Sequence, residues 1–234
     1  MEASITLKKV GKLVGNKTIL AGLTFGVERD SLVAIVGAND SGKSSLLKLL
    51  SGFENPDYGQ VFIHGLDMDK RRNETRKLVG YVPDATDLDP WLTLKQNILF
   101  TANLFNVESN KAESRIIKYS NILLLNPFLD QLARDVSHGI QKKTMLIREL
   151  VHDPDVLIID EPTGYMDAES NRITWDLLKK LRGTKSIIYV SNSLTEVEDA
   201  HDRILVFKDG RIIMDGHIDM LLKSTLDYHQ FQIE

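Results

Sequence analysis

The sequence IVGANDSGKSSLLKLL, residues Ile35–Leu50, carries the strongest structural signal in the chain. The apolar run Leu32–Val36 ends at Gly37, and the pattern G-x-x-x-x-G-K-S then leads into leucines at helical spacing. A strand, a glycine-bounded loop and a helix in this order form a phosphate-binding loop. The backbone N–H groups of the loop and the N-terminus of the helix surround the phosphate oxygens. The segment therefore predicts an α/β protein that binds a phosphorylated ligand.

Two side chains of this loop have chemical roles, and a third is unexpected. Lys43 is placed to reach the outer phosphates, and the Ser44 hydroxyl is a ligand for Mg²⁺. Asp40 is unexpected, because a carboxylate that faces phosphates repels them. Since backbone N–H groups form the cradle, we expect the Asp40 side chain to point outward, toward solvent or a partner. The residues predicted to surround the nucleotide are Gly37, Ala38, Asn39, Asp40, Ser41, Gly42, Lys43, Ser44 and Ser45.

A second signal is the segment VLIIDEPT at residues 156–163. Its apolar run predicts a fully buried parallel strand, and two acids follow directly at the end of that strand. A phosphate-loop enzyme needs an acid at a neighbouring strand end to hold Mg²⁺, and Asp160 fits this position. Hydrolysis also needs a group that orients and activates the attacking water, and Glu161 fits this role.

Composition limits the class of protein. The chain has 234 residues, of which 42% are hydrophobic and 26% charged, and its net charge is −4. This acidic balance argues against nucleic acid as a partner, so none is expected. The absence of cysteine excludes disulfides and thiolate zinc sites. No apolar run approaches the roughly 18–20 residues that span a bilayer, and no signal-peptide pattern is present, so a membrane role would require a partner.

Hydrophobic periodicity predicts an α/β core that is interrupted by a helical insert. Apolar residues recur at helical spacing from Thr93 to about Val151, which predicts helices over residues 93–150. Helices are also predicted over Ser44–Ser51 and Ser170–Leu181, and a hairpin over Ile204–Phe207 and Ile212–Met214. The other predicted strands are Ile5–Lys9, Ile19–Val27, Leu32–Val36, Val61–His64, Val79–Val82, Val156–Ile159 and Ser186–Val190.

Motif order and spacing across nearly the whole chain resemble one family, the ATP-binding subunits of ABC transporters. The segment GKSSLLKLLSGFENPDYGQVFIHGLDM resembles the phosphate-loop helix of that family and the hairpin after it. GYVPDATDLDPWLTLKQNILFTANLFNV is similar to the segment that reaches the membrane partner. VSHGIQKKTMLIRELVHDPDVLIIDEPTGYMD resembles the signature motif, the Walker B strand and the D-loop in order. The resemblance is greatest to the drug- and ion-exporter branch, of ABC-2 type.

The resemblance implies a fold and a location. The fold is a P-loop NTPase core with a parallel sheet, an antiparallel β subdomain and a helical insert. Residues 1–234 then form a single nucleotide-binding domain, with residues 1–92 and 151–234 as its core and residues 93–150 as its helical subdomain. The chain would be cytoplasmic and peripheral on the inner face of a membrane, held there by a transmembrane permease subunit. Trp91 and Phe100, in the segment that faces this partner, are either interface anchors or core residues.

The resemblance also implies a mechanism that uses ATP and Mg²⁺. Two ATP-binding domains, identical or different, pair head to tail, and each ATP lies between the phosphate loop of one domain and the signature motif of the other. Ser137 and Gly139 match the signature positions that contact the γ-phosphate across the interface, although a helix N-cap followed by glycine explains them equally well. Asp167 matches the D-loop acid that crosses the interface, and it is also expected to cap the helix that follows.

Four residues depart from the family pattern: Asp40, Asp84, Asn192 and Val14. Val14 stands where an aromatic ring stacks on adenine, a loss of about 0.5–1.5 kcal/mol that ATP binding should survive. Asn192 stands where a histidine contacts the γ-phosphate, and a lost bond to a charged group costs roughly 1.5–3 kcal/mol. Asp84 stands where the family often has a glutamine, in the loop that senses Mg²⁺ and the membrane partner. Near Mg²⁺ it would ligate the metal, and near the γ-phosphate without metal it would repel the phosphate. With Glu161, Asp84 and Asn192 as its catalytic residues, the chain is expected to bind ATP well and to hydrolyse it slowly or asymmetrically.

Three other readings stay open at this point. A P-loop kinase needs a substrate lid rich in arginine, and Arg71, Arg72 and Arg76 cluster on a predicted solvated loop. A non-transport ABC ATPase, acting in DNA repair or on the ribosome, is a second reading, although the chain lacks a long heptad run. The third is a regulatory or degenerate half of a heterodimer.

Overall fold

The computed structural model describes residues 3–191 and 202–217 of the chain. One sheet contains β1 (Ala3–Val14), β2 (Lys17–Glu28), β4 (Tyr58–Ile63) and β5 (Leu66–Asp67). The other contains β3 (Leu32–Gly37), β6 (Val79–Val82), β7 (Val156–Asp160), β8 (Ser186–Val190), β9 (Arg203–Lys208) and β10 (Arg211–Gly216). The strand orders are β2-β1-β4-β5 and β10-β9-β3-β8-β7-β6. The first sheet is antiparallel and the second is mainly parallel, which confirms the predicted fold class.

Helices cover the sheets and fill the middle of the chain. They are α1 (Lys43–Leu50), α2 (Arg72–Leu78), α3 (Leu94–Leu104), α4 (Ser109–Ile122), α5 (His138–Leu150) and α6 (Ala168–Leu181). The helical insert begins at a capping box, in which Thr93 Oγ1 accepts from the Gln96 N–H at 3.1 Å and Gln96 Oε1 accepts from the Thr93 N–H at 2.8 Å. Such reciprocal bonds satisfy two of the N–H groups that a helix leaves free at its start, so the insert has a sharp beginning.

The parallel sheet lies between two hydrophobic cores, because side chains alternate across a strand. On β3, Val33 and Ile35 pack with α1 and the antiparallel sheet, whereas Ala34 and Val36 pack with α3–α6. Every residue of β7 is buried, as expected for a parallel strand with both faces covered. The continuous apolar runs that predicted these strands are therefore the direct result of two-sided burial.

Strand direction determines where the functional residues meet. β3, β8 and β7 are neighbours and run parallel, so their carboxyl ends lie at one edge of the sheet. Gly37 ends β3 and Asp160 ends β7, with one strand between them. Adjacent strands are about 4.8 Å apart, so the backbones of these two ends are separated by about 10 Å.

The prediction for residues 71–76 was wrong, since the expected solvated loop contains the helix α2. Its sequence is almost entirely polar and gives no apolar periodicity over seven residues. The helix is stabilised instead by local pairs: the Arg71 guanidinium donates to the Glu74 carboxylate, and the hydroxyl of buried Thr75 donates to the Arg71 carbonyl at 3.2 Å. The short strand β5 was not predicted either, and β1, β2 and β4 begin earlier than expected.

His152, between α5 and β7, is a partly buried titratable group away from the cleft. Its ring stacks on Phe105 with the ring centroids 3.9 Å apart. Burial is the main cause that lowers the pKa of His152 to about 4. The folded protein therefore holds this imidazole neutral near pH 6, where an unfolded chain begins to protonate it.

This lowered pKa predicts acid sensitivity. Stability that is present above pH 6.5 is lost as the pH falls toward 4, because the unfolded state binds the proton more readily. Between pH 7.5 and pH 5 we expect His152 to remove about 2 kcal/mol from the free energy of unfolding. Urea unfolding measures this free energy at each pH. For His152→Gln, the decrease in the free energy of unfolding between pH 7.5 and pH 5 should be smaller than that of the wild type by this amount. The exposed His217→Gln serves as control, and parallel curves for the wild type and His152→Gln would contradict the prediction.

Candidate functional site

The loop between β3 and α1 forms the floor of the site. Gly37 is required there, because a Cβ at this position would lie 2.2 Å from the Phe207 carbonyl oxygen. Gly42 has φ 101° and immediately precedes α1, a conformation that other residues rarely adopt. The buried Lys43 donates through Nζ to the carbonyls of Gly37 and Ala38 at 2.7 and 2.8 Å. The loop is thus closed on itself by its own lysine.

The backbone of Asp40 explains how this residue fits the loop. Asp40 has φ 62°, in the left-handed region that glycine and, less often, aspartate and asparagine adopt. Its side chain is exposed, and Asp40 is one of the residues that line the cleft described below. Asp40 therefore supplies the left-handed conformation found at this point of the loop, and its exposed side chain stands at the cleft.

Acidic side chains meet the loop at the ends of β6 and β7. The Ser44 hydroxyl donates to the buried Asp160 carboxylate, so the two predicted metal ligands are in contact. Burial raises the pKa of Asp160, the bond from Ser44 lowers it, and the negative charge of Asp84 raises it further. Burial likewise lowers the pKa of Lys43, and Glu161 is the strongest of the charges that oppose this. The site therefore balances several carboxylates against few cations.

Glu161 has a constrained backbone. Its φ is 51°, which is uncommon for a non-glycine residue and costs roughly 1–3 kcal/mol. Its N–H donates to the Val190 carbonyl at 3.0 Å, so the end of β8 holds the residue in place. Strain of this kind is typical of functional positions, where the surrounding structure fixes a side chain in one direction.

The loop and the strand ends line one open cleft. Its volume of about 800 Å³ is in the range of small-molecule sites. The sequence predicted nine of its lining residues, and it missed Lys17 and Ile19 of β2 and Val190 of β8, because no motif marks them. The lining residues are Lys17, Ile19, Asn39, Asp40, Gly42, Lys43, Ser44, Ser45, Asp84, Asp160, Glu161 and Val190.

The oxygen groups of the cleft suit Mg²⁺ bound together with a nucleotide. Mg²⁺ prefers oxygen ligands and usually takes one or two from the protein, with phosphates and waters completing its shell. Ser44 and Asp160 supply such a pair. In residues 3–191 and 202–217 no three His, Cys, Asp or Glu side chains form a metal-binding group.

The predicted signature residues lie outside this cleft. Ser137 is exposed and caps α5, accepting from the Ile140 N–H at 3.4 Å. Gly139 packs against the following loop so closely that a Cβ would lie 2.8 Å from the Tyr165 carbonyl oxygen. Asp167 caps α6 by accepting from the Ser170 N–H at 2.7 Å. The capping roles expected for Ser137 and Asp167 are confirmed, and neither residue lines the cleft of its own chain.

The remaining residues that the sequence singled out do not line the cleft or lie outside the described residues. Val14 is 63% exposed and does not line the cleft, although Lys17, its partner across the β1–β2 turn, does. Asn192 lies outside the described residues. Trp91 and Phe100 are 69% and 59% exposed, so the alternative that they pack in the core was wrong. The Arg134 guanidinium lies 4.0 Å from the centre of the Trp91 ring.

A buried lysine near the site was not singled out by the sequence. Lys142 of α5 is 2% exposed, and its Nζ donates to the carbonyls of Pro83, Asp84 and Asp160 at 2.6, 3.3 and 2.6 Å. Burial lowers the pKa of Lys142 to about 8, against the opposing charge of Asp84. The signal available in the sequence was weak, since a lysine in a helix is normally a surface residue.

Comparisons with known proteins identify the family. A family model described as ABC transporter matches residues 20–164. Nod factor export ATP-binding protein I of Burkholderia orbicola (strain AU 1054) is 32% identical over 226 residues, which cover 96% of this chain and 74% of the relative. The chain therefore belongs to the ABC transporter family. It is an ATP-binding subunit of a transporter, and it is an ATPase.

Solved structures agree on the fold. The ATP-binding subunit of an ABC transporter superposes with a TM-score of 0.88 at 22% identity, covering 94% of this chain and 92% of that chain. A dimeric post-hydrolysis state of the ATP-binding cassette MJ0796, bound to ADP and Pi, superposes with a TM-score of 0.83 at 23% identity, covering 92% and 98%. Within residues 3–191 and 202–217, none of the helices is both long and apolar enough to cross a membrane.

The left-handed backbone at Asp40 predicts which substitutions the loop tolerates. Asp40→Gly keeps this conformation and removes only an exposed charge, so ATP affinity should stay within about threefold of the wild type. Asp40→Val places a β-branched residue in the left-handed region at a cost of about 1–2 kcal/mol, so ATP should bind about tenfold more weakly. Titration with a fluorescent ATP analogue and Mg²⁺ measures both. Equal affinity for the two variants would show that the backbone conformation is unimportant.

Proposed function

We propose that this ATPase works as one half of a dimer in which each ATP is bound between two nucleotide domains. The supporting observation is the separation of the two halves of the site. The phosphate loop and the acidic strand ends line the cleft, whereas neither Ser137, which is exposed at the start of α5, nor Gly139, which is buried in its first turn, lines it. A hydroxyl and backbone N–H groups at a helix N-terminus suit an anion. They can contact the γ-phosphate only of a nucleotide held by another domain, and the dimeric state of the MJ0796 cassette supports this arrangement.

The phosphate loop and the acids at the end of β7 have separate roles in the proposed reaction. The loop from Gly37 to Ser45 binds the phosphates through its backbone, with Lys43 on the outer ones. Ser44 and Asp160 would hold Mg²⁺, which neutralises charge on the β- and γ-phosphates when it is bound. Glu161 orients a water and takes its proton as the water oxygen bonds to the γ-phosphorus. The bond from that phosphorus to the bridging oxygen breaks, and ADP and phosphate leave.

The proposed turnover is slow. Asp84, Asp160 and Glu161 bring three carboxylates into the cleft that the phosphate loop lines. Each negative charge there repels the incoming phosphate unless a cation or metal compensates it. Asn192, which stands outside the described residues, is shorter than the histidine expected at that position. These departures also favour pairing with a different, fully active domain, in which case this chain is the slower half of a heterodimer.

We infer further that a transmembrane permease subunit recruits the chain to the cytoplasmic face of a membrane. Two exposed aromatic residues are suitable anchors for such a partner. Trp91 lies just before the helical subdomain, residues 93–150, and Phe100 lies in its first helix, α3. The name of the Burkholderia relative supports export rather than import. The single-domain organisation of residues 1–234, with its core over residues 1–92 and 151–234, belongs to the same proposal.

The role of Glu161 predicts a separation of binding from hydrolysis. Glu161→Gln keeps the shape of the side chain and removes the base, so ATP turnover should fall at least about a hundredfold, because loss of a general base typically costs about 10²–10⁴ in rate. ATP binding should remain, because the phosphate loop is unchanged. With ATP and Mg²⁺ the variant should elute as a dimer from a sizing column. Phosphate release and column elution are the two measurements.

Two controls make this test specific. Adding Ser137→Arg to Glu161→Gln places a bulky cation at the exposed start of α5 and should return the protein to a monomer. Glu169→Gln, on the first turn of α6 and outside the cleft, should leave turnover unchanged. Undiminished turnover in Glu161→Gln would refute the assigned base, and a dimer that survives Ser137→Arg would refute the shared site.

A further inference from the structure

The buried ammonium group of Lys142 joins two segments of the backbone next to the cleft. Its ammonium can donate three hydrogen bonds, and the three acceptors within reach are all main-chain carbonyls: Pro83 at 2.6 Å, Asp84 at 3.3 Å and Asp160 at 2.6 Å. The residue is 2% exposed. A cation is taken out of water at a large cost unless hydrogen bonds compensate it, so this arrangement needs all of these acceptors.

The bonds from Lys142 begin where the sheet ends. β6 and β7 are paired up to the register pair Val82–Ile159, and β6 ends there. The next residue, Pro83, has no N–H to continue the ladder. The Lys142 ammonium therefore replaces the next hydrogen bond between the two strands and holds the Pro83–Asp84 backbone beside the end of β7. Asp84 on one side and Asp160 on the other are the carboxylates that this link keeps at a fixed separation.

A second cation of the same helix holds the far end of the segment. Arg148 donates through both terminal nitrogens to the Asp87 carboxylate, at 2.8 and 3.0 Å, and through Nε to Glu149 at 2.9 Å. Glu149 in turn accepts from the Tyr81 N–H at 3.3 Å. Helix α5 thus fixes residues 83–87 at two points, and of these two cations only Lys142 contacts the strand end that carries Asp160.

We propose that Lys142 is a positioning residue for ATP hydrolysis: its ammonium sets the separation between Asp84 and the acids at the end of β7. It contacts the main chain of these residues and does not touch the reacting atoms in the described structure. The inference rests on the proposed roles of Asp160, Glu161 and Asp84. Because the phosphate loop binds ATP independently of Lys142, the residue governs kcat and metal dependence more than the affinity for ATP.

A purely structural role is the competing explanation, and Arg148 provides the matched control. Lys142→Met keeps the length of the side chain and removes its donors. Lys142→Gln is neutral but retains two N–H donors, so it can restore part of the link. Arg148→Met removes the second anchor of the same segment without altering contacts to Pro83, Asp84 or Asp160. A role in stability alone predicts similar effects of the two methionine variants.

The experiment compares kcat, KM for ATP, melting temperature and the Mg²⁺ dependence of binding a non-hydrolysable ATP analogue. For Lys142→Met we expect kcat to fall at least tenfold, KM to stay within threefold, and the half-saturating Mg²⁺ concentration to shift at least threefold. Lys142→Gln should recover part of kcat. Arg148→Met should lower the melting temperature and leave kcat and metal dependence within twofold of the wild type.

Two results would overturn the proposal. One is a Lys142→Met variant with kcat and metal dependence within twofold of the wild type, and the other is an Arg148→Met variant that reproduces both changes. Where Lys142→Met does not fold, Lys142→Leu is judged by the same criteria. Glu161→Gln in the same assay tests the proposed function separately, because undiminished turnover in that variant refutes the assigned chemistry whatever Lys142 does. The binding measurement needs no turnover, so slow hydrolysis does not obscure the result.

Discussion

The parallel alignment of β3, β8 and β7 is the constraint on which the site depends. It brings the carboxyl ends of β3 and β7 to one edge of the sheet, so that a phosphate loop and a pair of acids 120 residues further along the chain line the same cleft. The alignment itself follows from burial on both faces, since an all-apolar strand such as Val156–Ile159 is stable only between two cores. Function at this edge is therefore a consequence of how the core is packed.

The balance between buried carboxylates and buried lysines is the second constraint on the site. Burial disfavours the charged forms of Asp160, Lys43 and Lys142. The two lysines favour the charged form of Asp160, and the nearby carboxylates favour the charged forms of the lysines. In this environment a further carboxylate, Asp84, is tolerated next to the end of β7. The same balance is the physical basis of the proposal that turnover is slow while ATP binding is retained, since binding uses backbone N–H groups whereas hydrolysis depends on the charge around the γ-phosphate.

The sequence predicted the elements that are determined by residues close together in the chain. The β3–α1 loop, the acid-ending strand Val156–Asp160 and the helical insert each carry a period or a motif that a single chain displays. Helix α2 was missed because its stability comes from side-chain pairs among polar residues rather than from an apolar face. Lys142 was missed because its role depends on three carbonyls from distant segments, which no spacing within the sequence reveals. The sequence only partly indicates the left-handed conformation of Asp40, since aspartate permits this conformation without requiring it.

Equilibrium binding of labelled ATP with Mg²⁺ to the wild type and to Lys43→Ala tests the central claim most directly. The account predicts saturable binding to the wild type below millimolar ATP. It also predicts at least a tenfold loss in Lys43→Ala, because a bond to a charged phosphate is worth about 1.5–3 kcal/mol. A wild-type chain that retains no labelled triphosphate at millimolar ATP and Mg²⁺, or one that Lys43→Ala matches, would contradict the assignment of this sheet edge as the nucleotide site.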